Sequence, residues 1–190
     1  MSRLTMPAAL VLGVSLALAG CATTGPQATT SASPAAETTV APAVGETISG
    51  TGYSYTVPEG WGVPDPIEGY DPDSFAADLD DTDGFSDNVN VIVSPAGVVT
   101  PDEVESAGFD ELESVGATDV TVGERVTVAG SESAHLSASM SANGQEYVIE
   151  QYYTTDDQQT YVVTFSFSSS VPQADREALA ASVLATWTWE

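Results

Sequence analysis

The stretch AHLSASMSANGQEYVIEQYY, from Ala134 to Tyr153, decides the fold of this 190-residue chain. Before Asn143-Gly144, apolar and polar residues alternate, which predicts a half-buried strand. The Asn-Gly pair favours a tight hairpin turn of the primed type. The return strand places Tyr147, Ile149 and Tyr153 on one face, because side chains alternate along a strand. The segment therefore predicts two antiparallel strands joined by a hairpin.

Further strands flank this hairpin on both sides along the chain. Residues 52–57 and 88–94 each have a strand pattern bounded by turn formers. Residues 120–128 predict a bent strand or two short ones. After Asp156-Asp157, a last strand carries aromatic and branched residues on one face, and these are Tyr161, Val163, Phe165 and Phe167. The result is an antiparallel meander whose aromatic face requires a cover.

Two helices are predicted to flank the sheet. The first begins at a capping box, with Thr100 as N-cap and Glu103 as N3, and extends to about Val115. The second begins at a capping box formed by Ser170 and Gln173 and covers the aromatic face. Their predicted apolar stripes are Val104, Gly108, Leu112 and Val115 in the first, and Leu179, Val183 and Trp187 in the second. This order of elements predicts an α+β fold with a central antiparallel β-sheet flanked by helices.

Several short motifs in this pattern resemble a known family. They are the run YSYTVPEGW (residues 53–61), the strand Val89–Val93, the capped helix, the turn Val128-Ala129-Gly130 and the closing Ser-Pro-rich helix. Together they resemble the PsbP/Mog1-like fold, in particular the LpqN/LpqT group of actinobacterial lipoproteins, over nearly all of the domain. The resemblance implies a cell-envelope accessory or binding module and no catalytic motif. Residues 64–87 depart from the family pattern. They are acidic and rich in turn formers, so we expect them to be mostly loop.

The N-terminus resembles the signal of a bacterial lipoprotein. Arg3 precedes an apolar run, residues 8–19, and the tetrapeptide Leu18-Ala19-Gly20-Cys21 matches a lipobox around the only cysteine. We expect residues 1–20 to be a signal peptide and Cys21 to carry the lipid that anchors the chain to the extracytoplasmic face of the cell membrane. A transmembrane helix would need about 20 apolar residues, which this run lacks. An ordinary cleaved signal, leaving Cys21 as a free thiol, is the other alternative.

A linker follows the predicted anchor. Residues 21–48 are rich in Thr, Ser, Ala and Pro and contain few large apolar residues. Such a composition buries too little surface to offset the entropy of ordering, so we expect a disordered stalk. The globular domain is then predicted at residues 49–190, a normal size for one domain.

The charge of the chain excludes one class of partner. The sequence has 28 acidic residues against three arginines and no lysine, for a net charge of −25. A surface of this kind repels nucleic acid, whose binding requires clusters of basic residues. With a single cysteine, no intrachain disulfide can stabilise the domain. The partners that we expect are the membrane, through the lipid anchor, and an unidentified lipid, glycolipid or envelope protein.

The sequence offers no catalytic constellation. His135 is the sole histidine and lies with Ser137 and Ser139 on the polar face of its predicted strand, an arrangement that simple alternation explains. No Gly-x-Ser-x-Gly elbow is present. We therefore expect a non-catalytic binding or assembly module without a cofactor. Trp61 and Trp187 are expected in the core, and a lipid or peptide site is expected between the aromatic face and the helices.

The acidic segment 64–87 suggests an alternative function, a calcium-stabilised surface or adhesive domain. An EF-hand is excluded, since its first and twelfth positions would be Leu79 and Asn90, where acidic ligands are needed. An irregular calcium site within residues 71–87 stays open, because Ca²⁺ accepts scattered carboxylates. No individual metal ligand is assigned.

Overall fold

The computed structural model describes residues 40–142 and 144–190. The predicted signal peptide (1–20), the lipidation site Cys21 and residues 21–39 of the predicted linker lie outside the described residues, as does Asn143. Within the described ranges, neither helix has both the length and the apolar composition that crossing a membrane requires.

The described residues form eleven strands and two helices. In chain order they are β1 Thr47–Gly50, β2 Tyr53–Thr56, β3 Trp61–Gly62, β4 Ser74–Asp78, β5 Asn88–Val93, α1 Pro101–Ser114, β6 Thr118–Val122, β7 Val126–Val128, β8 Ser131–Ala142, β9 Gln145–Thr155, β10 Thr160–Ser168, α2 Gln173–Leu184 and β11 Thr188–Trp189.

These strands build two antiparallel sheets. The large sheet has eight strands in the order β3-β4-β5-β10-β9-β8-β6, with β7 also paired to β8. The small sheet has the order β1-β2-β11. The predicted meander is therefore confirmed, and the ambiguous segment 120–128 forms two short strands, β6 and β7.

The hairpin between β8 and β9 has the two-residue turn that the sequence predicts. Ala142 pairs with Gln145, which leaves two residues between the strands. Gly144 has a φ of +81°, a left-handed conformation that glycine adopts without steric cost. This register places Leu136 opposite Gln151 and Ala138 opposite Ile149.

The aromatic face of the large sheet is fully covered. Phe165 and Phe167 are completely buried, and the aromatic face packs against α2, β1 and β2. Trp187 stacks on Tyr53 with ring centroids 4.4 Å apart and planes 7° apart. The last helix covers this face as predicted, through Ala180, Val183 and Leu184, and the small sheet covers it as well. The predicted helix stripe is wrong at its end, since α2 stops at Leu184 and Trp187 reaches the core from the segment that follows. The fold is consequently richer in β-structure than a central sheet flanked only by helices.

The opposite face is covered by α1 over part of its width. Val104 and Leu112 pack against Leu136 and Ile149 in a second, smaller core. Gly108 makes this contact close, because a Cβ at that position would lie 2.8 Å from Leu136 Cδ1. α1 packs over β8 and β6, at one side of the large sheet.

Two stretches predicted as irregular contain strands. Residues 64–87, expected to be mostly loop, include β4, whose Ala76 pairs with Val89 and is buried. Alanine is not a strong strand former, and here packing against β5 overrides propensity. The folded part also begins before residue 49, because Ile48 of β1 is buried and the amide of Ala43 donates to the carbonyl of Ser182.

The two helix starts differ from each other. At α1 the capping box of Thr100 and Glu103 is confirmed, but Val115 follows the helix and is 68% exposed, so the stripe ends at Leu112. At α2 the predicted capping box is wrong, since the helix begins after Pro172 without a side-chain cap. The Ser170 hydroxyl instead forms a hydrogen bond with that of Ser168.

Candidate functional site

A groove lies where α1 leaves its face of the sheet uncovered. It has a volume of about 460 Å³ and separates α1 from β5, β9 and β10. We call it the α1 groove and define it by its main apolar lining, which is Ile92, Val99, Ala107, Leu112, Tyr153 and Val162. Its size is in the range of small-ligand sites, about 300–1,000 Å³.

Strand alternation explains why the floor of the groove is apolar. On β5, Val89 and Val91 enter the aromatic core, so Ile92 faces the other way. Val162 of β10 pairs directly with Ile92 and lies beside it on the floor. Ile92 is 48% exposed, which is unusual for a large aliphatic residue in the middle of a sheet. At the Ile92–Val162 pair the sheet is therefore apolar on both faces, although only the aromatic face is closed by the domain itself.

Uncharged polar groups of Gln151 and Tyr153 also line the groove, and they bond to each other and to Thr164 beside it. The Tyr153 hydroxyl donates to Gln151 Oε1 at 2.6 Å, and Gln151 Nε2 donates to Thr164 Oγ1 at 2.8 Å. Burial, helped by the charge of Glu111, raises the pKa of Tyr153 to about 12. The phenol therefore stays protonated at neutral pH. A floor of this kind suits an apolar or uncharged group.

The helix side of the groove carries carboxylates. Glu103 accepts a hydrogen bond from the amide of Thr100 at 2.9 Å, and the Thr100 bonds hold the pKa of Glu103 below its usual range. Glu111 also lines the groove and is exposed. The rim is therefore negatively charged at neutral pH, beside an apolar floor.

A second, larger cleft is a weaker candidate. It measures about 860 Å³ and lies beside Asp156, Tyr161, Trp189 and Glu190. Asp156 Oδ1 accepts the amides of Gln158 and Gln159, each at 2.7 Å, so its carboxylate is occupied by its own turn. The lining of this cleft is more polar than that of the α1 groove. We therefore take the α1 groove as the candidate site.

The sole histidine belongs to a buried charged group. His135 Nε2 lies 2.8 Å from Glu150 Oε2, and Arg176 Nε donates to Glu150 Oε1 at 2.9 Å. Burial raises the pKa of Glu150, but the hydrogen bonds from His135 and Arg176 outweigh it and leave the pKa lowered. The face of β8 that carries His135 is buried at this point. The predicted alternation had implied that this face is exposed to solvent. No local motif links these three residues, which belong to β8, β9 and α2.

The acidic segment bonds to its own backbone. The carboxylates of Asp78, Asp81 and Asp83 accept the amides of residues 80, 83 and 85, in turns of their own. Across residues 40–142 and 144–190, no group of three or more His, Cys, Asp or Glu side chains is placed to hold a metal ion. Asp87 is half-buried, and burial together with the nearby aspartates raises its pKa to about 6, despite a bond from the Ser168 amide.

The structure places the other residues singled out in the sequence as follows. Trp61 and Trp187 are buried, which confirms their prediction as core residues. The groove lies between the sheet and a helix, but on the face opposite the aromatic one. The aromatic face itself is filled by Trp187 and its tyrosine neighbours.

Comparison with known proteins identifies the fold through structures alone. No family model matches the sequence, and no curated protein matches it. The crystal structure of LpqN, involved in cell envelope biogenesis of Mycobacterium tuberculosis, superimposes with a TM-score of 0.53 at 17% identity, over 72% of this chain and 82% of that one. The solution structure of cyanobacterial PsbP from Synechocystis sp. PCC 6803 gives 0.53 at 18% identity, over 77% and 95%. The described domain therefore has the PsbP-like fold found in LpqN and in cyanobacterial PsbP.

Proposed function

We propose that this chain is a lipoprotein of the cell envelope whose domain is a non-catalytic binding or assembly module. Cys21 would carry the lipid that holds it on the extracytoplasmic face of the membrane. The lipobox Leu18–Cys21 and the apolar run before it support the anchor. The fold shared with LpqN, a protein involved in cell envelope biogenesis, supports the location.

The α1 groove is the observation that carries the binding role. Ile92, half-exposed in the middle of a sheet, and Val162 form an apolar floor that no described element of the chain covers. An apolar ligand group that displaces water from this floor gains about 25 cal/mol per Å². The ligand classes that satisfy this chemistry are a lipid, a glycolipid or an apolar segment of an envelope protein.

The environment of His135 supports a non-catalytic role. A nucleophile needs a base within hydrogen-bonding reach, and the Nε2 of the sole histidine is held by buried Glu150. Neither Ser137 nor Ser139 forms a hydrogen bond with its ring among the described residues. The module would therefore act by binding alone.

Binding of the uncharged dye Nile red tests the groove. The chain from residue 22 to 190 contains both cores and lacks the signal and the cysteine. Its fluorescence titration should show saturable binding, and Ala107→Trp should abolish it, because the indole would fill the groove from exposed α1. Ser106→Trp is the matched control, one residue away on the same helix and outside the lining. Equal binding by both variants would place the dye elsewhere and refute the site.

The anchor has its own test. In cells, the wild-type chain should fractionate with membranes, and Cys21→Ala should be released into the soluble envelope or medium. Intact mass of the membrane form should exceed that of the chain beginning at residue 21 by its acyl groups. An unmodified mass, or identical fractionation of the two forms, would exclude lipidation.

A further inference from the structure

We infer that the ligand of the α1 groove is a basic amphipathic segment of a partner protein. In this complex, apolar side chains of the segment occupy the groove and its lysines or arginines lie along the acidic helix α1. The inference rests on the proposed binding function and names the partner class of that site. It depends on the charges of α1, on the positions of the arginines and on the exposed apolar residues beside the groove.

Helix α1 has an unfavourable charge distribution for a free helix. Its 14 residues include six acidic and no basic ones. Asp110, Glu111 and Glu113 lie near its C-terminus, where the helix dipole disfavours negative charge. Glu111 also lines the groove. A cation bound at this end would relieve both the mutual repulsion and the interaction with the dipole.

The domain supplies no cation for this end of the helix. The described residues contain two arginines and no lysine. Arg125 bonds to Glu105 at 2.6 Å and also contacts Asp102, so it neutralises charge in the N-terminal half of α1. Its third partner is Glu132 of β8, at 3.0 Å. Arg176 bonds to buried Glu150. Within residues 40–142 and 144–190, neither arginine therefore pairs with Glu111.

Exposed apolar residues lie in the groove and beside it. Val115, which lines the groove, is 68% exposed, and Val98, next to Val99 of the lining, is 52% exposed. An apolar strip beside a row of carboxylates is complementary to a segment with leucine-like anchors on one face and basic residues at its edge. Anionic lipid headgroups would be repelled by the same carboxylates. An uncharged glycolipid would fill the floor but leave the carboxylates unpaired.

Three helical peptides of 18 residues provide the test. All carry leucine at the same i, i+3, i+4 and i+7 positions, and their flanking positions hold lysine, glutamine or glutamate. Calorimetric titration into residues 22–190 should rank them lysine over glutamine over glutamate. The affinity for the lysine peptide should fall as salt rises, because the charge pairs are exposed. Glu111→Gln should weaken it roughly two- to fivefold, and Asp175→Asn on α2 should not.

The groove variant separates specific docking from general attraction to an acidic protein. Ala107→Trp should abolish binding of the lysine peptide, and Ser106→Trp should retain it. Equal binding to Ala107→Trp, or equal binding of the three peptides, would overturn the inference. If no peptide binds while Nile red binds and is blocked by Ala107→Trp, the inference fails and the proposed function stands. If Nile red does not bind either, both the inference and the proposed binding function are refuted.

Discussion

The two faces of the large sheet are built by the same strands, but the aromatic face is closed by the domain and the α1 face keeps an open groove. On the aromatic face, Phe165 is completely buried, and the buried carboxylate of Glu150 has two partners. On the α1 face, Ile92 stays half-exposed, and neither of the two arginines in the described residues pairs with Glu111. In the described domain both arginines thus pair with carboxylates inside the fold, while the α1 face keeps an apolar floor beside an unpaired acidic rim.

The physical reason for this allocation is desolvation. An ionised carboxylate removed from water costs several kcal/mol unless it is paired, so Glu150 requires Arg176 and His135. An exposed carboxylate such as Glu111 keeps its water and tolerates the absence of a partner. With two arginines in the described domain, the buried position has the stronger need for one of them.

Truncating an apolar side chain should lower the free energy of unfolding far more on the aromatic face than on the α1 face, and this is the largest expected difference between them. Phe165→Ala should lower the free energy of unfolding by about 3–5 kcal/mol, because it leaves a cavity in the closed core. Ile92→Ala should lower it by less than about 1 kcal/mol, since the side chain is half in water already. Urea denaturation followed by tryptophan fluorescence measures both. Equal losses would show that the α1 face is closed in solution.

Removing each arginine in turn should rank the faces in the same way. Arg176→Met should cost about 3 kcal/mol, because one partner of a buried carboxylate is lost. Arg125→Met should cost clearly less than Arg176→Met, since its ion pairs are exposed to solvent. Adding Glu150→Gln to Arg176→Met should recover part of the loss, as the buried charge disappears. A larger effect for Arg125 would contradict this description of the network.

The helix starts give a smaller contrast. Thr100→Ala should destabilise the domain by about 1 kcal/mol, because it removes the hydroxyl that accepts the Glu103 amide and donates to the Glu103 carboxylate. Ser170→Ala should have almost no effect, since α2 begins without a side-chain cap. Thermal unfolding of both variants beside wild type measures the difference. A large loss in Ser170→Ala would restore the predicted second capping box.

Glu150 and Asp87 should make the free energy of unfolding depend on pH in opposite directions. The folded pKa of Glu150 is lowered, so its contribution is present above the unfolded value, about 4.3, and is lost as pH falls through the folded pKa. The pKa of Asp87 is raised to about 6, so stability should rise as pH falls from about 6 toward 4. Asp87→Asn should remove that rise and stabilise the domain at pH 7 by on the order of 1 kcal/mol after screening. Urea titrations of both forms between pH 3 and 8 give the free energy of unfolding as a function of pH. An unchanged dependence in Asp87→Asn would contradict this prediction.

Local sequence patterns predicted much of the fold. The Asn143-Gly144 turn, the alternation in β8 to β10 and the capping box at Thr100 each depend on neighbours in sequence, and each predicted its element. β1 and β4 were missed because their burial depends on distant partners, such as Val89 opposite Ala76. The Glu150 group likewise joins residues far apart in the chain. The α1 groove could not be located from the sequence, because an exposed Ile92 and a buried one have the same local pattern.

Methyl NMR of the isoleucines tests most directly the claim that the α1 groove is the binding site. The chain has four isoleucines, Ile48, Ile67, Ile92 and Ile149. Ile48 lies in the aromatic core, Ile149 in the core beneath α1, Ile67 on the acidic segment and Ile92 on the groove floor. Titration with the lysine peptide should shift the Ile92 signal most and leave Ile48 unchanged. A dominant shift at Ile67 or Ile48, with Ile92 unmoved, would contradict the claim.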